Sequence, residues 1–167
     1  MSSPHDFDFF HGTWQVLNRR RTDFLDPGSD WEEFPATSHC RPLFDGAANI
    51  DEIDMPRLGS KGLTLRLFDR ETEQWSLNWS ASGSGKLFPP VTGRFESGRG
   101  EFYGEDTIPR SRPRSSGGTP TGTDVRVRFV WSGVSPTGAR WEQAFSVDGG
   151  ETWVTNWTMD FSRPPAS

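Results

Sequence analysis

The sequence predicts an all-β fold, a single up-and-down antiparallel β-barrel of about ten strands. Three observations predict it. Apolar and polar residues alternate with a period of two along most of the chain, the signature of strands with one buried face. Turn chemistry recurs between the alternating runs, as in Asp26-Pro27-Gly28, Asp45-Gly46 and Gly83-Ser84-Gly85. No stretch has the apolar spacing of a long amphipathic helix. Closing the sheet removes its exposed edges. A two-sheet sandwich satisfies the same periodicity and stands as the structural alternative.

The elements follow in order. Residues 4–10 form a lead-in, one helical turn at most, whose Phe7, Phe9 and Phe10 plug an apolar end. Strands are then expected at 12–22, 32–43, 48–55, 62–69 and 74–81. The sixth, 86–95, contains Pro89-Pro90, and proline cannot donate to a ladder, so this strand is bent, bulged or at an opening. Strands at 100–107, 124–131, 140–147 and 152–161 complete the set. Residues 109–123, rich in Arg, Ser, Pro and Gly, cannot bury a face and read as a flexible loop, with a lid as the functional alternative.

The chain of 167 residues reads as one domain, 1–167. A net charge of −5 argues against general nucleic-acid binding. The single cysteine, Cys40, excludes an internal disulfide and a cysteine-based metal site. The N-terminus lacks a basic-then-apolar signal region, and no apolar run approaches ~18 residues. The expectation is a cytoplasmic protein with no membrane partner; a homodimer is compatible with the sequence. Aromatic content is unusual, with 8 Trp and 13 Phe against 1 Tyr, and large rigid rings can line a pocket.

The alternation assigns the faces. Trp75, Leu77, Trp79 and Ala81 share one face of their strand. Val125, Val127, Phe129 and Trp131 share another. Trp153, Thr155, Trp157, Met159 and Phe161 share a third. Aromatics are expected inward, because an outward row of Trp would leave a large exposed apolar patch. Trp75-Ser76-Leu77-Asn78-Trp79 and Trp153-Val154-Thr155-Asn156-Trp157 are both W-x-x-N-W. A duplication and chance account for this equally well.

Ser146-Val147-Asp148-Gly149-Gly150-Glu151-Thr152-Trp153 matches the Asp-box, S-x-D-x-G-x-T-W. Its spacing is local chemistry: Ser and Asp satisfy turn backbone groups, Gly allows positive φ, and Trp packs beneath the hairpin. Sialidase propellers carry several copies on a longer chain, so this single copy reads as a structural turn.

Gly12-Thr13-Trp14 opens the first strand and Arg163 follows the last. This G-x-W with a terminal arginine resembles the lipocalin or calycin signature, in which the basic residue packs over the Trp at one barrel end. With His5-Asp6-Phe7-Asp8-Phe9, the run from Gly62 to Asp69 and the Trp141-Glu142-Gln143 to Trp157 hairpin, the chain resembles a family of uncharacterised bacterial lipocalin-like proteins. The resemblance covers nearly the whole chain except 109–123. It implies a calycin-type barrel and no common activity. The neighbouring nitrobindins bind haem through a late histidine. Here the histidines are His5, His11 and His39, so no haem, no other cofactor and no metal is expected.

The candidate ligand-binding residues are Trp79, Phe129, Gln143, Trp157 and Met159, with His39 and Glu52 as further candidates. Gln143 shares a face with Trp141, Phe145 and Val147, and a buried amide needs a partner. Of Asp51 and Glu52, neighbours on one strand, only one can face inward. An inward carboxylate in an apolar barrel would have a raised pKa and acid–base capacity. The expected function is binding of a small apolar or aromatic molecule in the lumen. A cyclase, isomerase or lyase using the same lumen is the enzymatic alternative, with catalytic residues unknown. A plugged barrel acting as an interaction module is the third.

Overall fold

The computed structural model describes residues 2–109 and 122–165. Ten strands form one closed antiparallel barrel: β1 (Gly12–Arg21), β2 (Trp31–Leu43), β3 (Ala48–Met55), β4 (Ser60–Asp69), β5 (Gln74–Ala81), β6 (Val91–Glu96), β7 (Arg99–Pro109), β8 (Gly122–Ser132), β9 (Gly138–Ser146) and β10 (Val154–Ser162). Each strand pairs with its neighbours in sequence, and β1 closes the ring by pairing with β10 from Gln15↔Ser162 to Arg20↔Trp157. The flexible loop expected at 109–123 lies, apart from its ends, outside the described residues.

One end is sealed by the lead-in. A 3-10 turn, Asp8–Phe10, drives Phe7 and Phe10 into the barrel, where both are fully buried. Phe7 meets Trp75 and Phe95 edge-on at 4.9 and 5.0 Å, and Phe10 meets Trp131 at 4.9 Å. Such pairs add about 0.5–1.5 kcal/mol each beyond area burial. Arg163 clamps the seal from outside. Its guanidinium lies 3.6 Å from the Trp14 ring centroid and donates to the carbonyls of Phe9, His11, Thr13 and Pro136. Gly12 makes room: its φ is +107°, and a Cβ there would come within 2.9 Å of Arg163 Nη1.

The other end is built from the 22–30, 56–59, 82–90 and 147–153 connections. The 147–153 connection holds the Asp-box, whose side-chain bonds are local, with Arg126 of β8 donating to its Gly149 carbonyl. Ser146 Oγ donates to Asp148, Thr152 N–H donates to Asp148, and Trp153 Nε1 donates to the Gly150 carbonyl. Hydrogen bonds from Ser146 and Thr152 hold the Asp148 carboxyl well below the usual range.

Two elements differ from the sequence expectation. The sixth strand starts at Val91, not at 86, because Pro89-Pro90 cannot enter the ladder; ahead of it only an isolated Ser80↔Leu87 bridge forms. In β10 the register slips between Thr155 and Trp157, so Asn156 is an extra residue in a β-bulge. Trp153 and Thr155 are therefore out of phase with Trp157, Met159 and Phe161. Trp153 packs outside, against Tyr103 at 6.0 Å and under Arg128 at 4.7 Å. The two W-x-x-N-W copies are thus placed differently: Trp75 is buried and Asn78 bonds the Leu65 carbonyl, whereas Trp153 lies outside and Asn156 within.

Candidate functional site

The lumen beyond the seal holds two adjacent spaces. The inner chamber, about 60 Å³, reaches from Phe161 and Trp131 up to Trp79 and Trp157. Above it, a vestibule of about 270 Å³ extends to Phe24, Leu58, Phe88 and Ile108. Leu77, Trp79, Phe129, Gln143 and Trp157 border both.

Five of the sequence candidates, Trp79, Phe129, Gln143, Trp157 and Met159, line this space. They come from β5, β8, β9 and β10, each at the inward phase of its strand. Trp157 is the hub: it lies 5.9 Å from Trp141 and 6.4 Å from Trp79, both edge-on, and its Nε1 donates to Asn18 Oδ1 at 2.9 Å. Trp79 stands against Gly62, where any Cβ would collide with the indole. Arg20 and Phe24 cover Trp157 from the open end: Arg20 lies 4.9 Å from the Trp157 centroid and Phe24 lies 6.2 Å away.

Gln143 has the partner its burial requires. Its Nε2 donates to Asn156 Oδ1 at 2.9 Å, and Asn156 Nδ2 donates to the Phe24 carbonyl at 3.3 Å. The bulge in β10 makes this contact possible, by turning Asn156 inward beside Trp157. The pair ties the lumen wall to the 22–30 connection.

His39 and Glu52 are placed elsewhere. Both sit on the outer face, His39 within 3.0 Å of the Thr13 hydroxyl and Glu52 62% exposed beside Lys61. The register explains this: β2 turns Ser38 and Cys40 inward, and β3 turns Asp51 inward, leaving His39 and Glu52 outward. The inward carboxylate is therefore Asp51. His5 pairs with Asp8 at the surface, and among the described residues no three His, Cys, Asp or Glu side chains converge as metal ligands would.

Sequence reasoning weighed Asp51 as one of two candidate inward carboxylates but missed its partner, Arg66. Arg66, from β4, and Asp51 form an ion pair of 2.6 Å inside the barrel, with side chains 4% and 6% exposed. Asn49 Oδ1 accepts from the same Arg66 nitrogen at 2.9 Å. Burying an ion pair is costly unless its geometry and hydrogen bonds are good, so its place at the base of an aromatic cavity needs a reason. The Arg66 guanidinium also lies 4.9 to 5.6 Å from the ring centroids of Phe10, Phe7 and Trp131, which spreads its charge over the seal. One signal was present in the sequence: Thr64 and Arg66 share a phase with Gly62, and Gly62 is the residue a facing Trp needs.

No protein-family model and no curated protein sequence matches the chain. Among solved structures, it aligns with the S-type phycobiliprotein lyase CPES from Guillardia theta at a TM-score of 0.49 and 10% identity, over 100% of this chain and 95% of that one. The architecture rests on the closed strand pairing itself, not on that likeness. No helix among the described residues is long and apolar enough to cross a membrane.

Proposed function

We propose that the chain binds a small, mainly apolar or aromatic molecule in the barrel lumen. The observation that carries this reading is the pair of adjacent spaces, chamber and vestibule, walled by Trp79, Phe129, Trp157 and Met159 and carrying the Gln143–Asn156 amide pair. Rings supply contact area, and a few fixed polar groups supply orientation. The residues named all come from one chain, so the reading requires no second copy. A plugged barrel is the weaker alternative, since among the described residues the fully buried aromatic seal lies at one end.

Native mass spectrometry of freshly purified protein, with Trp fluorescence titration against aromatic and polycyclic compounds, tests the reading. A co-purified mass, or saturable quenching that Trp157→Phe weakens, is expected. A pure apo mass with no response to any compound would overturn it.

A second reading, catalysis in the same lumen, is favoured by one observation: a buried carboxylate, Asp51, stands beside the chamber. A barrel that holds a reactive conformer beside such a group has the minimum equipment for an isomerase, cyclase or lyase. If the bound compound is turned over, Asp51→Asn is expected to abolish conversion while preserving binding, read by mass spectrometry of the product. A compound returned unchanged by the wild-type protein leaves binding alone.

A further inference from the structure

The lumen wall carries an amide whose polarity is fixed from behind. A backbone carbonyl can only accept, so Asn156 presents Nδ2 to the Phe24 carbonyl, at 3.3 Å, and keeps Oδ1 for Gln143. Gln143 therefore presents Nε2 to that oxygen, at 2.9 Å. What Gln143 has left is Oε1, an acceptor, and no described residue donates to it. Arg66 Nε and Trp131 Nε1 are also unpaired, but they are closed off by their neighbours. Gln143 Oε1 is not closed off, and it stays open to the lumen that the side chain lines.

The surroundings constrain what meets this oxygen. Gln143 is 8% exposed, and a buried acceptor without a partner is rare and costly. Across the sheet Gln143 pairs with Phe129 on β8 and with Trp157 on β10, so the acceptor stands in a row between two rings. It borders both spaces, which puts it at their boundary. The inner chamber, about 60 Å³, is smaller than the roughly 150 Å³ cavity that accepts benzene, and the vestibule, about 270 Å³, is larger. A ring system therefore fits in the vestibule, with one edge at Gln143. An edge carrying only lone pairs, a carboxylate included, would face the lone pairs of Oε1. An edge carrying N–H or O–H completes the amide.

We infer that Gln143 is the specificity-determining residue of the lumen and selects a neutral aromatic ligand bearing a hydrogen-bond donor on its ring edge, as in a phenol or an indole, which donates to Oε1. This rests on the lumen-binding reading and narrows its ligand class. The rings of Trp79, Phe129 and Trp157 hold the body of the ligand, and the Phe24–Asn156 relay keeps the amide from turning its nitrogen to the ligand instead.

The test uses three compounds of similar size, the intact protein and calorimetry at pH 7. 2-Naphthol carries a donor, 2-naphthonitrile carries only an acceptor, and 2-methylnaphthalene carries neither. 2-Naphthol is expected to bind roughly tenfold tighter than 2-naphthonitrile, the worth of a made against an unmade hydrogen bond at a buried partner. Gln143→Met keeps a side chain of similar length and removes the acceptor. It is expected to lower the affinity ratio of 2-naphthol to 2-methylnaphthalene roughly fivefold or more, because the hydroxyl is then buried without a partner. In ¹³C spectra of the wild-type protein, the Gln143 side-chain carbonyl carbon is expected to move downfield with 2-naphthol and not with 2-methylnaphthalene. The spectra and the wild-type ranking decide the matter if the variant does not fold.

Equal binding of 2-naphthol and 2-naphthonitrile, with the Gln143 carbonyl signal unmoved, overturns the donor assignment and leaves the lumen reading standing; water then satisfies Oε1. Tightest binding by 2-naphthonitrile also overturns it, in favour of the second Nε2 hydrogen as the group that meets the ligand. Failure of all three compounds to bind overturns the assignment for bicyclic ligands and counts against the lumen reading as well.

Discussion

The two ends of the barrel are made from the same residue types and do opposite things. At the sealed end Phe7, Phe10, Trp14, Trp75, Trp131 and Phe161 pack ring against ring and are buried. At the open end Trp79 and Phe129 face space, and Trp157 is held by Asn18 and covered by Arg20 and Phe24. The difference lies in what fills the gaps between rings. The lead-in drives two Phe side chains fully into one end, whereas at the other the described connections lay Phe24 over Trp157 and leave it partly exposed. Aromatic content alone does not decide how rings pack; what the connections deliver between them does.

The largest expected effect follows from that contrast. Trp14→Ala removes a fully buried indole from the seal and is expected to cost about 3–5 kcal/mol in urea unfolding. Trp79→Ala removes a half-buried ring bordering open volume and is expected to cost about 1–2 kcal/mol, while weakening any lumen ligand. Equal costs at the two positions would mean that the open end is packed as tightly as the sealed one.

Between the ends sits the ion pair. Arg66→Met strands Asp51 in the chamber and is expected to cost about 3–5 kcal/mol. The double variant Asp51→Leu, Arg66→Met is expected to recover much of that loss, because no charge is then left alone in the barrel. Urea midpoints of the three proteins decide this. A double variant no more stable than the single would show that the pair holds the seal through Asn49 and the rings, not merely through charge balance.

Most of the barrel was legible in the sequence, because period-two alternation and turn residues report strand number and order directly. The inner faces of β5 and β8 followed from the same rule. It failed where its premise failed. On β4 the apolar phase is Leu63, Leu65 and Leu67, yet these are half-buried outside, and Thr64 and Arg66 point in. A pattern rule equates apolar with inside and cannot anticipate a guanidinium neutralised by a partner on the next strand. On β10 the alternation ran unbroken through Trp153, but the Asp-box had already claimed that residue for its turn, and the bulge restarts the phase at Asn156. On β3 alternation stated that only one of Asp51 and Glu52 enters, and the register to β2 and β4 chooses which.

A smaller effect is expected at the outer clamp. Arg163→Ala removes bonds to four carbonyls and the cation–π contact on Trp14. Those carbonyls can turn to water, and the guanidinium is not deeply buried. The expected loss is about 1–2 kcal/mol, with hydrogen exchange rising at Phe10 and His11 and unchanged in the 147–153 hairpin. Faster exchange at both ends would mean that the seal and the mouth open as one unit.

Cys40 offers a test of the sealed end that is read at alkaline pH. It is buried beside the Asp51 strand, and burial, the largest influence, pushes its thiol up to about 12. In the unfolded chain the thiol ionises near its usual value of about 8.5. The folded state therefore favours the protonated form, and the associated stability is fully present below about pH 8.5 and lost as pH rises toward 12. Alkaline unfolding is expected to begin at lower pH in the wild-type protein than in Cys40→Ala once each curve is normalised to its own stability at pH 7. At pH 8 the native thiol is expected to resist iodoacetamide for as long as the barrel stays closed, and to react at once in urea. Rapid alkylation of the native protein would mean that the sealed end opens readily, and the contrast between the two ends would then be one of degree.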